Sequence, residues 1–157
     1  MSYELDLELK ASPLPFKELL SIAKKQEILQ FCAEALMHYG YVSSSELASK
    51  CTPVHLMLQA LLKEHLNVDS YITIGDRYWH DYIYCEMSYD SIISELKNPK
   101  IDNPIKAHVW LTLSDGTILD CTAEAHADLI FDRGVHPSPK CIMFVRPDDK
   151  LDDKSGY

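Results

Sequence analysis

Residues 107–122, Ala-His-Val-Trp-Leu-Thr-Leu-Ser-Asp-Gly-Thr-Ile-Leu-Asp-Cys-Thr, read as two short strands joined by a tight turn. Apolar and polar side chains alternate on both sides of Asp115-Gly116, a strong hairpin signal. The pairing register follows from what each choice would bury. A two-residue turn at Asp115-Gly116 sets Leu111 opposite Asp120 and places a carboxylate among leucines. A three-residue loop, Ser114-Asp115-Gly116, sets Leu113 opposite Thr117, Leu111 opposite Leu119 and Val109 opposite Cys121, all on one apolar face. A slip of one residue turns a whole strand over, so the second register is expected. Gly116 suits the left-handed position that such a loop needs. His108, Trp110, Thr112, Ile118, Asp120 and Thr122 then share the other face. Asp120 stands opposite Trp110 and diagonal to His108, about 7–8 Å away at the backbone and within side-chain reach.

Outward from this hairpin the chain changes character once. From Phe16 to Leu66 it reads as helical. Leu19, Leu20, Ile22 and Ala23 open an apolar stripe that Ile28, Leu29, Cys32, Ala35, Leu36 and Tyr39 continue at helical spacing. Gly40 is a C-terminal stop. Ser43 with Glu46 fits a capping box for a short helix over about 44–49. Thr52 as N-cap and Pro53 at the first helical position open another helix, with Val54, Met57, Leu58, Leu61 and Leu62 on its apolar side. Cys51 lies at the tip of that stripe. From Val68 onward strands dominate: Val68–Ile74, Tyr78–Met87, Lys106–Leu113, Thr117–Thr122 and Lys140–Val145, interrupted by a short helix over Ser88–Leu96 and a proline-bearing loop over Asn98–Pro104. Helices followed by a mainly antiparallel sheet define an α+β fold, with a nucleophile-bearing helix packed on the sheet.

The 157 residues suit a single domain spanning 1–157, with loosely packed ends at about 1–12 and 148–157. The 46% hydrophobic and 25% charged content excludes wholesale disorder and fibrous repeats. A net charge of −9 without any Lys/Arg run argues against nucleic acid as a partner. No stretch approaches the ~20 apolar residues of a membrane span. The acidic start, Met-Ser-Tyr-Glu-Leu-Asp-Leu-Glu, lacks the order of a secretory signal, so the cytoplasm is expected. Five cysteines (Cys32, Cys51, Cys85, Cys121, Cys141) with wide spacings and no Cys-x-x-Cys point to reduced thiols rather than a disulfide framework.

Cys51 stands apart from the other four. At a helix start the macrodipole and free N–H groups favour a thiolate, and an adjacent imidazolium can bring a thiol pKa to ~3.5–7.5. Cys32, Cys85, Cys121 and Cys141 each sit inside an apolar stripe or strand and read as small core hydrophobes. A carboxylate accepting from one imidazole nitrogen fixes the tautomer and aims the other nitrogen at a nucleophile. The set is therefore Cys51 as nucleophile, His108 as acid and base, and Asp120 as its orienting partner.

A Cys opening an amphipathic helix, followed by a β-rich stretch and by His-x-Trp…Asp-Gly…Asp-x-Thr, resembles the transglutaminase-like branch of the papain-like thiol enzymes. The matching positions are Cys51 in Lys-Cys-Thr-Pro, His108 in Ala-His-Val-Trp and Asp120 in Ile-Leu-Asp-Cys-Thr, across roughly residues 45–125. The resemblance implies a thiol-dependent acyl-transfer enzyme acting on an amide bond through a Cys-His-Asp triad, without cofactor or metal. A hydrolase or glutamine deamidase acting on a protein or peptide is the expected form, in the manner of a bacterial effector that carries no secretory signal. Transglutaminase or N-acetyltransferase-type transfer to an amine is the alternative. The chain departs from the family in having Thr52-Pro53 after the Cys, and neither Gln26 nor Gln30 is an assignable oxyanion donor.

Two other classes compete. Cys51-x3-His55 could be half of a zinc site, but no second pair has ligand spacing, so His55 reads as a helix-surface residue or a support for the site. The aromatic-rich stretch Tyr71–Tyr89 could serve a non-enzymatic protein-binding module, alternation placing Tyr78, His80, Tyr82 and Tyr84 on one face, though a sheet that buries most of these aromatics is the expected arrangement.

Overall fold

The computed structural model describes residues 15–98, 100, 102, 106–146, 149 and 155–157. Its helices are α1 (Ile22–His38), α2 (Ser44–Leu47), α3 (Cys51–Leu66), α4 (Tyr89–Lys97) and α5 (Ala123–Ile130), with a 3₁₀ turn at Ser138–Cys141. The strands are β1 (Ser70–Gly75), β2 (Arg77–Trp79), β3 (Tyr82–Tyr84), β4 (His108–Leu113), β5 (Ile118–Asp120), β6 (Met143–Val145) and β7 (Ser155–Gly156). They form an antiparallel sheet of order β1-β4-β5-β6 and a smaller sheet of order β3-β2-β7. The fold is α+β, as the order of patterns along the chain requires. Among the described residues no helix is long and apolar enough to cross a membrane.

Local chemistry accounts for the helix ends. The Ser21 hydroxyl accepts from the N–H of Lys24 at 3.1 Å, so α1 starts after Leu19 and Leu20 rather than through them. Ile22, at its first position, is 75% exposed, and the buried stripe begins at Ile28. Gly40, at φ 87°, ends the segment. Ser43 and Glu46 form the expected capping box, the backbone N–H of Ser43 donating to the Glu46 carboxylate at 2.8 Å. Lys50, not Thr52, is the N-cap of α3, which makes Cys51 the first helical residue.

Ile28, Cys32 and Leu36 of α1 and Val54, Leu58 and Leu62 of α3 are fully buried with Leu111, Leu113 and Leu119 of the large sheet and with Cys121 just after β5. Each of the larger side chains contributes roughly 1.5–3 kcal/mol by leaving water. The hairpin has the expected register: Leu111 pairs with Leu119, and the N–H of Leu113 donates to Thr117 O at 2.8 Å. The loop is Ser114-Asp115-Gly116, with Gly116 at φ 86°.

Four sequence expectations need correction. Tyr78–Met87 is not one strand: it turns at His80-Asp81, with His80 at φ 50°, so Trp79 pairs with Tyr82 and Tyr78 with Ile83. Tyr78, His80, Tyr82 and Tyr84 therefore do not share a face. The strand after the hairpin loop ends at Asp120, because its carboxylate takes the N–H groups of Thr122 and Ala123 and opens α5, a helix the strand pattern had hidden. The strand over Lys140–Val145 is shortened to Met143–Val145 by the preceding 3₁₀ turn. Finally, the tail is not frayed at its last residues. Ser155 and Gly156 pair with Trp79 and Tyr78, and Tyr157 packs against Trp110. The rest of the expected loose ends, 1–12 and most of 148–154, lies outside the described residues.

Candidate active site

The expected polar face of the hairpin is not open to water. All six residues of β4 are buried, and His108 and Asp120 are both 0% exposed. The smaller sheet supplies the cover. The Tyr84 ring lies 5.0 Å from the His108 ring, Tyr157 lies 5.1 Å from Trp110, and Trp79 packs on Tyr84. Gly75, paired with His108, leaves room for the Trp110 ring, since a Cβ there would come within 2.6 Å of it. Trp79 and Tyr84 are thus turned inward, which removes two of the aromatics a binding surface on this stretch would have offered.

His108 Nε2 lies 2.5 Å from Asp120 Oδ2. An ionised carboxylate only accepts, so Nε2 carries the proton and Nδ1 is left to act as a base. Nδ1 is buried and makes no well-formed hydrogen bond to a described residue. The other ionisable neighbour of the ring is the Cys51 thiol. That thiol lies at the edge of β4, 3.9 Å from Ala107 O. Cys51, on the first turn of α3, is 8% exposed and interacts with the His108 ring. The structure therefore brings Cys51, His108 and Asp120 together.

The electrostatics follow from the geometry. Burial pushes the Cys51 thiol up, but the neighbouring His108 and the N–H of Val109 outweigh it and hold the thiol below its ordinary range. Burial opposes a charge on His108 as well. Asp120 and Cys51 overcome it, raising the imidazole to about 9. Burial raises Asp120, yet His108, then His55 and the Thr122 N–H bring its carboxyl well below the usual carboxylate range. Five donors make the buried carboxylate tolerable: His108 and the Tyr157 hydroxyl (3.1 Å) on Oδ2, and the Thr122 N–H (2.9 Å), Ala123 N–H (3.0 Å) and Thr122 hydroxyl on Oδ1. Lowering the thiol and raising the imidazole both shift the pair toward its thiolate–imidazolium form.

His55 is a support, not a surface residue. It is fully buried, its Nδ1–H donating to Cys51 O at 2.8 Å and its Nε2 accepting from the Cys121 N–H at 3.1 Å. Both nitrogens are engaged, so the Cys51–His55 zinc pair has no free imidazole lone pair, and among the described residues no group of three potential ligands converges. The ring ties the first turn of α3 to the end of β5, beside Asp120 Oδ1 at 3.8 Å. Acceptance at Nε2 requires a neutral ring, and burial, its largest influence, holds its pKa below the ordinary value.

This has a consequence for stability. The unfolded chain protonates His55 near ~6.5 and Asp120 near ~3.9, whereas the folded chain resists both protons. Stability therefore falls as pH drops through ~6.5 and again through ~4. His108 has the opposite sign: its contribution is complete below ~6.5 and lost as pH rises through about 9. Urea midpoints between pH 6.5 and 5, where the His108 contribution is complete, should decline for the parent chain, and His55→Gln should flatten that part of the slope. A parent midpoint unchanged over this range would contradict the assignment of a neutral, buried His55.

Three further residues were not singled out from the sequence for this site. Tyr84 covers His108, and burial raises its phenol pKa, keeping it protonated. His126 of α5 stacks on Tyr84 at 3.9 Å and is held neutral by burial and then by the charge of His108. Tyr157 meets Asp120. No pattern in the sequence signals them, because their neighbours are distant in the chain. Cys85 also departs from expectation. It is half-buried at φ 59°, within reach of the charge on Cys51, and burial raises its pKa. Cys32, Cys121 and Cys141 are core thiols as expected, and all five cysteines are free. Gln26 and Gln30 lie on the exposed side of α1, and Gln30 bonds Glu34, so neither serves as an oxyanion donor.

Comparison with family models, with curated proteins and with solved structures found no match.

Proposed function

We propose that the protein is a thiol-dependent acyl-transfer enzyme that acts on an amide bond, as a hydrolase or glutamine deamidase of protein or peptide substrates. The observation that carries this reading is the directed line from Asp120 through His108 Nε2 to an Nδ1 whose counter-charge is a helix-tip thiol of depressed pKa. A carboxylate holding one imidazole tautomer beside a nucleophile is the arrangement that general acid–base and covalent catalysis both need.

The Cys51 thiolate attacks the carbonyl carbon, and the N–H of Cys51, at the start of α3, is one donor for the oxyanion. As the C–N bond breaks, His108 gives its proton to the leaving amine or ammonia, and a thioester remains on Cys51. Water then attacks the thioester while Nδ1 takes its proton. The acid is released and the thiolate–imidazolium pair is restored. With an amine in place of water, the same steps give transfer.

Alkylation by iodoacetamide, followed against pH with mass-spectrometric site assignment, tests the first requirement. Cys51 should label fastest, with a step below the ~8.5 of a free thiol and a change near pH 9 as His108 loses its proton. Incubation with glutamine-containing peptides should release ammonia and leave a trappable thioester on Cys51. Equal labelling of Cys51 and Cys85 with no step below ~8 would remove the catalytic reading.

A further inference from the structure

The last described residues form part of the site rather than a tail beside it. Ser155 and Gly156 add a strand to β2, and Arg77 Nη1 donates to Gly156 O at 2.8 Å. Arg77 is 2% exposed, and its guanidinium lies 4.6 Å from the Tyr157 ring centroid and 4.9 Å from that of Trp79. Gly156 lies so close to Tyr78 that a Cβ would come within 2.5 Å of its ring. Strand, guanidinium and close approach together hold Tyr157 against Trp110, with its hydroxyl 3.1 Å from Asp120 Oδ2. That is the same oxygen that accepts from His108 Nε2.

We propose that Tyr157 is a positioning residue of the Cys51–His108–Asp120 site, its ring sealing the carboxylate–imidazole pair from water and its hydroxyl sharing Oδ2 with His108. The proposal rests on the acyl-transfer reading for its purpose. In that reaction His108 must hold a proton against the thiol and then release it to the leaving group, so the carboxylate must not grip the imidazolium too tightly. A second donor on Oδ2 draws off part of its charge and weakens that grip. The dry surroundings keep the remaining interaction strong.

The neighbouring charges are compatible with this role. Burial and then Asp120 raise the Tyr157 phenol well above its ordinary value, so the hydroxyl stays protonated and donates. Arg77 opposes that rise and Glu124 of α5 adds to it, neither reversing it. On the other side of the pair, His55 and His126 are both held toward the neutral form, and burial keeps the Tyr84 phenol and Cys85 thiol protonated. Cys51 is the counter-charge to His108.

Tyr157→Phe and Tyr157→Ala separate the two parts of the proposal. Two quantities are read for each full-length protein: the pH midpoint of Cys51 alkylation by iodoacetamide, and the midpoint of the His108 ring in ¹⁵N NMR. Tyr157→Phe keeps the ring and frees Oδ2, so His108 holds its proton more tightly. Its midpoint should rise by about 0.5 and that of Cys51 should fall by a similar amount. Tyr157→Ala admits water to Asp120 and should move both the other way, toward the ordinary ~6.5 and ~8.5. A ring that only packs would leave Tyr157→Phe identical to the parent in both quantities, and that result overturns the proposal. If Tyr157→Ala does not fold, Tyr157→Phe decides alone. If Cys51 of the parent titrates as an ordinary thiol, the acyl-transfer reading fails. The His108 midpoint still judges Tyr157: a rise in the Phe variant upholds its hold on Asp120, and no change rejects it.

Discussion

Cys51→Ala is expected to fold like the parent chain, lose turnover by ~10⁴-fold or more, and lose the rapidly alkylated site altogether. The size of the effect reflects the division of labour in the site. His108 and Asp120 have no task without a nucleophile to activate, so little residual chemistry survives. The fold should persist because the Cys51 side chain fills little of the core. The main cluster is built from Val54, Leu58 and Leu62 one turn and more along α3, and the tie from His55 goes to the backbone carbonyl of Cys51. Alanine keeps that carbonyl. The missing thiolate should also release His108, whose ring would titrate below the parent's value of about 9, since one of the two charges raising it is gone. Amide turnover, intact-mass labelling and circular dichroism check the three parts. Retained labelling at the parent's rate would show that another cysteine is the reactive one.

Asp120→Asn is expected to cost about as much in turnover, ~10⁴-fold, and to lose roughly 1–3 kcal/mol of stability. The direction comes from counting donors. Oδ1 of Asp120 accepts two backbone N–H groups, from Thr122 and Ala123, whereas Oδ2 faces His108 and Tyr157. An asparagine must choose which side receives its oxygen. Turning the amide N–H₂ toward two backbone N–H groups leaves three groups unsatisfied, so the oxygen goes there and the N–H₂ faces His108. Nε2 must then accept, Nδ1 carries the proton, and the ring has no base aimed at Cys51. Asp120→Ala instead leaves the backbone donors and the imidazole without an acceptor in a dry site, and should cost stability by about 3–5 kcal/mol. Turnover, urea denaturation and the ¹⁵N pattern of the His108 ring read the two variants separately. An Asn variant with the parent's tautomer and rate would show that the carboxylate does not set the orientation of His108.

Much of this site is legible in the chain because its geometry is local or periodic. The hairpin register follows from Leu111, Leu119 and Asp120, since only one pairing keeps the carboxylate away from the leucines. That pairing places Asp120 within reach of His108, twelve residues away. Cys51 stands out because helix starts carry their own electrostatics, and capping residues with an apolar stripe mark where α3 begins to within two residues. The helices-then-strands order defines the α+β class for the same reason: period 3.6 and period 2 can be read without knowing what each face touches.

Tertiary structure alone decides what covers that geometry. The polar face of the hairpin looks solvent-exposed in sequence, yet Tyr84, Trp79 and Tyr157 bury it, from segments 24–49 residues away from His108 along the chain, across a second sheet. Alternation describes which side a residue faces, not whether another layer lies on that side, so the burial of His108 and Asp120 has no signal in it. The turn at His80-Asp81 and the helix after Asp120 are hidden likewise: the first is set by a residue at φ 50°, the second by a carboxylate bonding to Thr122 and Ala123. His55 carries the same lesson. Its spacing from Cys51 permits a metal pair, and only the packing of α3 against the end of β5 shows that both ring nitrogens already hold backbone groups. Residue types and spacing determine which side chains are able to do the chemistry. Burial, the source of their shifted pKa values, depends on contacts between distant segments, and those exist only in the folded chain.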